Sequence, residues 1–139
     1  MHVITKHLQF NTKGECDVVD ITDRVSNQIR SSALSNGTVT LFVIGSTGAL
    51  TTIEYEPGLL NDFPNMLERI APCGINYEHD KTWHDGNGHS HVRASLLGPS
   101  LTIPFENTKL TLGTWQQIVF VELDVHPRSR NVAVQIIGE

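Results

Sequence analysis

Positive charge is scarce in this chain and nowhere clustered: 10 lysines and arginines stand against 15 aspartates and glutamates, for a formal net charge of −5. Surfaces that grip nucleic acid or anionic membrane rest on clustered positive charge, so neither is expected as the main partner. Long apolar runs are missing too. No segment approaches the roughly 18 apolar residues of a membrane span, and MHVITKHLQF at the N-terminus lacks the basic region and apolar stretch of a secretory signal. The two cysteines, Cys16 and Cys73, have neither metal-site spacing nor the density of a disulfide framework. A reducing cytoplasm is the expected setting, with a Cys16–Cys73 disulfide left open. There is no internal repeat, linker or low-complexity segment, and 139 residues suffice to bury one core, so a single domain over 1–139 is expected.

What is present reads mainly as strand. Val3 to Phe10 places Ile4, Leu8 and Phe10 on one face, interrupted by Lys6, as in an edge or rim strand. From Asp20 the period changes: Ile21, Val25, Ile29 and Ala33 fall four apart, Asp20 can cap, and Asn36-Gly37 stops the run, which predicts an amphipathic helix. TVTLFVI (38–44) is apolar on both faces, as expected of a strand buried between layers. Residues 49–56 alternate, and Leu59, Phe63, Leu67 and Ile70 trace a second helix ended by Pro72. Pro64 is expected in a first turn there, so the helix would begin near Asp62 or break into two pieces. Residues 92–97, 101–105, 109–112, 117–123 and 131–137 read as strands joined by short turns. The pattern predicts an α+β, β-dominated fold: a two-layer antiparallel β-sandwich with two or three helices on the outside.

The chemistry concentrates between Tyr77 and Pro104. Four of the seven histidines, His79, His84, His89 and His91, lie there with Asp80, Asp85, Asn87 and Arg93. If residues 89–92 are extended, His89 and His91 share a face, with Cα atoms roughly 6 to 7 Å apart. Two such imidazoles can converge on a cation. A third ligand from His79, His84 or Asp85 would leave a position open for water or substrate. The competing interpretation is a histidine-rich surface loop.

Elsewhere, Gly45-Ser46-Thr47-Gly48 offers backbone amides and two hydroxyls to an anion, without the lysine or spacing of a P-loop; it is equally readable as a plain turn. Glu54 and Glu56 would share a strand face, solvated, bound to a cation or sharing a proton. Glu122 follows Ile118 and Phe120 on their face, so its burial would require a partner such as Arg93, Arg128 or Arg130. Trp115 suits stacking on a substrate ring or a core position at a strand start.

HDGNGHSHVRASLLGPSLTIP, LGTWQQIVFVELD, PRSR and STGALTTIEYEP together resemble the YjbQ-like family, small proteins described as secondary thiamine-phosphate synthase enzymes, over nearly the whole chain. The resemblance implies a sandwich of jelly-roll type with added helices, a homotrimer with sites near subunit boundaries, and a weak thiamine-phosphate synthase activity. By position, the family's histidines fall on His79 and His91, its polar element on Asp85 and Asn87, its small-residue strand on Ala94 and Ser95, and its GTWQ signature on Gly113 to Gln116. Many members have His-Thr-Ser or His-Thr-Thr where this chain has Ser46-Thr47-Gly48, and His89 is the candidate to stand in for the missing histidine.

The expected function is thus a small enzyme with a His/Glu site. His79, Glu54, Glu56, Asp85 and Asn87 would do acid–base work. Ser46, Thr47, Arg93, Trp115 and Gln116 would hold a small phosphorylated or anionic substrate, and a divalent metal, zinc first, would sit on His79, His89 and His91. The alternatives are a trimeric module that binds a metal or small anion without transforming it, and a metal-dependent hydrolase of a small substrate.

Overall fold

In the computed structural model, which describes residues 1–139, eight strands form two sheets with every pair antiparallel. The five-stranded sheet runs β1 (His2–Asn11), β8 (Ser129–Gly138), β3 (Gly37–Val43), β5 (Ser100–Glu106), β6 (Lys109–Leu110). The three-stranded sheet places β7 (Gln116–Glu122) between β2 (Val18–Asp20) and β4 (Gly48–Glu54). Four helices complete the fold: α1 (Thr22–Arg30), α2 (Pro57–Ile70), α3 (Glu78–Trp83) and α4 (Gly88–Leu97).

Packing explains the strand patterns. Leu8, Phe10, Val39, Leu41, Val43, Ile103, Phe105, Val132, Val134 and Ile136 from the large sheet meet Leu50, Ile118 and Phe120 from the small one, with Ile21, Val25 and Ile29 of the α1 segment closing the cluster. The opposite face of the small sheet is also buried: Ala49, Val119, Val121 and Leu123 pack against Leu67 of α2 and Ala94 of α4. This is why QIVFVEL is apolar on both faces. β1 is an edge strand, as its interrupted face implied, and Lys6 reaches across to Ser31 Oγ at 2.6 Å.

Several boundaries differ from expectation. The N-cap position of α1 is Ile21 rather than Asp20, whose Oδ1 accepts from Thr22 N at 3.0 Å just ahead of the helix, and the helix ends at Arg30 rather than near Ala33, which has φ +61°. Helix α2 begins at Pro57 and runs on through Pro64, so that proline is interior and not in a first turn. The segment 92–97 is the C-terminal part of α4 and not a strand. Its apolar residues fit both periods, and tertiary packing of Ala94 under β4 favours the helix. With α3 also present, four helices replace the two or three expected.

Candidate functional site

Two crossovers between the sheets lie side by side at one end of the fold. Residues 44–47 carry the chain from β3 to β4, and residues 123–128 carry it from β7 to β8. They are stitched together by Ile44 N to Asn131 O (3.1 Å) and Leu123 N to Thr47 O (3.0 Å). Against them sits the N-terminal end of α4. The three pieces enclose a cavity of about 390 Å³ lined by Ser46, Thr47, Asp85, Asn87, His91, Asp124, Arg128 and Arg130, with no apolar side chain in its wall.

Its floor is a buried ionic network. Glu122, with no exposed surface, receives Arg130 Nε at 2.7 Å, a second guanidinium contact from Arg130 Nη2, and Thr12 Oγ1 at 2.7 Å. Arg130 is therefore the partner that the apolar pattern around Glu122 required. Arg130 Nη2 also donates to Thr47 Oγ1 (2.9 Å), which in turn donates to Asp124 Oδ2 (3.2 Å). Asp124 accepts from Arg128 Nε (2.9 Å), Val125 N (2.8 Å) and Asn87 Nδ2 (3.3 Å). Burial alone would raise the Asp124 pKa, but the Arg128 hydrogen bond, with the other donors, holds it below the ordinary value. Every charge on this floor is therefore answered by an opposite one.

On the α4 side His91 lines the cavity, and His79 stands next to it. The His79 and His91 ring centroids are 4.2 Å apart, with His79 Nε2 3.1 Å from Asn87 Oδ1 and 3.6 Å from Asp85 Oδ1. The Asn87 amide lies between the carboxylates of Asp85 and Asp124; turned over, its nitrogen would donate to Asp85 at 2.9 Å instead. His91 is held below its ordinary pKa first by burial and then by the neighbouring His79, which favours the neutral imidazole. Gly88 is needed for this corner, since a Cβ there would come within 2.4 Å of Tyr77 Cβ.

The expected three-histidine metal set is not assembled. On an α-helix, positions 89 and 91 are about 200° apart, so His89 faces the other way. Its Nε2 is 2.7 Å from Glu15 Oε2, and Glu15, Cys73 and His89 bring oxygen, sulfur and nitrogen donors within 4.8 Å of one another, a set that could hold a metal. Arg93, one turn on, shares that side: it donates to Ala71 O (2.9 Å) and Glu68 (2.7 Å), and lies 3.7 Å from Cys73 Sγ and 4.0 Å from Glu15. It is thus placed with His89, not with Ser46 and Thr47. His84 is exposed, outside both clusters.

The remaining candidates lie elsewhere. In the β4–β7 register Gly48 pairs with Glu122 but Glu54 pairs with Gln116, six residues along, which puts Glu54 and Gln116 about 20 Å from the basin floor. Glu56 caps α2 with its carboxylate, receiving Gly58 N at 2.8 Å and also Leu59 N, so the glutamate pair is divided between strand and helix. Trp115 is 71% exposed beside Gln116, so it is no core tryptophan. A separate hollow of about 290 Å³ near Gln116, lined by Thr22, Ser26, Arg30 and Lys109 among others, contains neither a histidine nor a carboxylate. Sequence reasoning missed Asp124 and Arg130 as members of the site. The signals for them were the lone Glu122 in an apolar strand, two residues before Asp124, and the LGTWQQIVFVELD and PRSR motifs, which end at Asp124 and Arg130.

These features define a small α+β domain of two antiparallel sheets, with one all-polar histidine site where the chain crosses between them. The family described as UPF0047 protein YjbQ-like matches residues 6–139, and the chain belongs to that family. It is 41% identical to a UPF0047 protein of Methanothermobacter thermautotrophicus over all of this chain and 95% of that one, and 30% identical to UPF0047 protein YugU of Bacillus subtilis over 96% and 98%. Among solved structures it is similar to a YbjQ-like protein of unknown function from Sulfolobus solfataricus, with TM-score 0.89 and 32% identity over 99% of this chain and all of that one. An uncharacterized conserved protein of the same family from Clostridium acetobutylicum gives TM-score 0.87 and 36% identity over 95% and 99%.

Proposed function

We propose that this chain is a small enzyme acting on a phosphorylated substrate in the crossover basin, with His79 and His91 as the proton-transfer pair. The observation that carries this reading is that His91, lining a cavity of polar residues together with Arg128 and Arg130, has the His79 ring 4.2 Å from its own. His91 in its neutral form can accept a proton from a bound nucleophile, and His79, beside Asp85 and Asn87, can take it on or return it. The reaction that the family resemblance implies is thiamine-phosphate synthesis. There a thiazole phosphate attacks the methylene carbon of an activated pyrimidine and pyrophosphate leaves, which calls for charge stabilisation at the departing anion. The resemblance also supports a homotrimer, and exposed Phe42, Ile44, Val92 and Leu96 supply apolar surface for subunit contact. The test is pyrophosphate release from that substrate pair by wild type, His79→Ala and His91→Ala. Turnover lost in both variants with unfolding unchanged supports the reading; turnover equal to wild type in either one overturns that histidine's role.

A second reading is favoured by the Glu15, Cys73 and His89 donors: a module whose zinc sits on the far side of α4. Arg93 opposes a cation there, and burial raises the Cys73 pKa, with Glu15 adding to it, so metal would have to displace that proton. Elemental analysis of untagged protein separates the readings. Metal lost on Cys73→Ser/His89→Ala places it there, whereas metal lost on His79→Ala/His91→Ala places it in the basin.

A further inference from the structure

The arginine wall of the basin contains an unused set of donors. Arg130 is 92% buried by its 8% exposure, and two of its guanidinium nitrogens are spent on Glu122 and Thr47. The third, Nη1, donates to no atom of the chain; it faces the 44–47 crossover, where a Cβ on Gly45 would stand 3.1 Å from it. The backbone N–H groups of Gly45, Ser46 and Thr47 likewise have no acceptor in the chain. Gly45 and Ser46 are exposed and Thr47 is buried, and all three line the same cavity as Arg130, so their amides and the unpaired Nη1 of a largely buried arginine are available together to an anion that enters it.

We infer that Arg130 Nη1 and the Gly45, Ser46 and Thr47 amides form the subsite that anchors a phosphoryl group. This deepens the reading of the basin as a phosphorylated-substrate site but does not depend on the histidine chemistry. The Thr47 hydroxyl is already committed to Arg130 and Asp124, so Thr47 contributes its amide, whereas the Ser46 hydroxyl is free to join. Glu122 fixes the guanidinium plane, and Gly48 lets the loop close on Phe120, whose Cζ would lie 2.5 Å from a Cβ there. Arg128, 48% exposed at its side chain and paired with Asp124, is the more exposed cation of the cavity lining. Asp85 lies beside His79, so the subsite orients a ligand with its anionic end toward Arg130.

The probe is inorganic phosphate, with pyrophosphate as the larger anion, titrated into full-length protein at constant ionic strength. Amide resonances of Gly45, Ser46 and Thr47 in wild type should move together and saturate; shifts that do not saturate, or that centre on other residues, overturn the assignment. Calorimetry on Gly45→Ala should show phosphate affinity reduced at least about tenfold, the loss of one hydrogen bond to a charged group, because the methyl crowds Nη1 while leaving the Glu122 pair intact. Affinity equal to wild type would overturn it. His91→Ala should bind phosphate as wild type does. If it does so without turnover, both proposals stand. If it turns over normally while Gly45→Ala loses phosphate, the subsite stands and the histidine chemistry fails.

Discussion

The two sides of α4 hold similar groups in different ways. His91 and His89 are two residues apart, each near an acidic side chain and an arginine, yet the turn of the helix gives them separate surroundings. On the His91 side Glu122 and Asp124 are almost fully buried, and each carboxylate has two or more donors. On the His89 side the acidic partners Glu15 and Glu68 keep 29% and 51% of their side-chain surface, and Cys73 is exposed. The first arrangement is rigid and opens onto a cavity. The second is a solvent-screened rim that ties Ala71 and α2 to α4. The difference teaches that histidine density marks a neighbourhood, while the buried counter-charges beneath it mark the site.

The sharpest way to break the comparison is to remove one arginine from each side. Arg130→Met leaves Glu122 buried and unpaired and should cost about 3–5 kcal/mol in denaturant unfolding. Arg93→Met leaves acidic partners that water can reach, so its cost should be clearly smaller. Equal losses would mean that the two sides are energetically alike. Next in size is catalysis: His91→Ala should lower turnover by about 10²–10⁴, while His89→Ala should leave it within a fewfold. A comparable fall in both would join the two sides into one site.

Acid titration gives a smaller, signed effect. The Asp124 pKa is depressed in the folded protein, so its stabilisation is complete above its ordinary value near 3.8 and is lost as pH falls through the lower folded value. Asp124→Asn should flatten the stability curve below about pH 4. An unchanged curve would show that another group carries the acid sensitivity. The smallest effect is expected at Glu68→Gln on the screened side, whose denaturant midpoint should stay close to that of wild type; a fall as large as that of Arg93→Met would show that this exposed pair carries the rim.

Much of the fold was legible because burial imposes period on sequence. The four-residue spacing of Ile21, Val25 and Ile29 located α1, and the doubly apolar runs 38–44 and 117–123 located β3 and β7. Residues 88–97 were misread because His89, His91 and Val92 to Leu97 fit alternation as well as a helix, and only Ala94 packing against the small sheet decides between them. That one choice separated His89 from His91 and removed the three-histidine set. Glu54 and Glu56 failed for a similar reason: a strand ending at Glu54 and a cap at Glu56 cannot present both carboxylates together.

By itself, then, the sequence determined the class of fold, the residues of the core, the acidic surface and the stretch in which chemistry would be found, because these follow from local period and composition. Only the tertiary structure decided which histidines meet and which arginine neutralises Glu122. Pairing Gly48 with Glu122 and laying the 44–47 and 123–128 crossovers side by side joins residues some 80 positions apart, such as Thr47 and Arg130 (|i−j| = 83), and no local pattern encodes that distance.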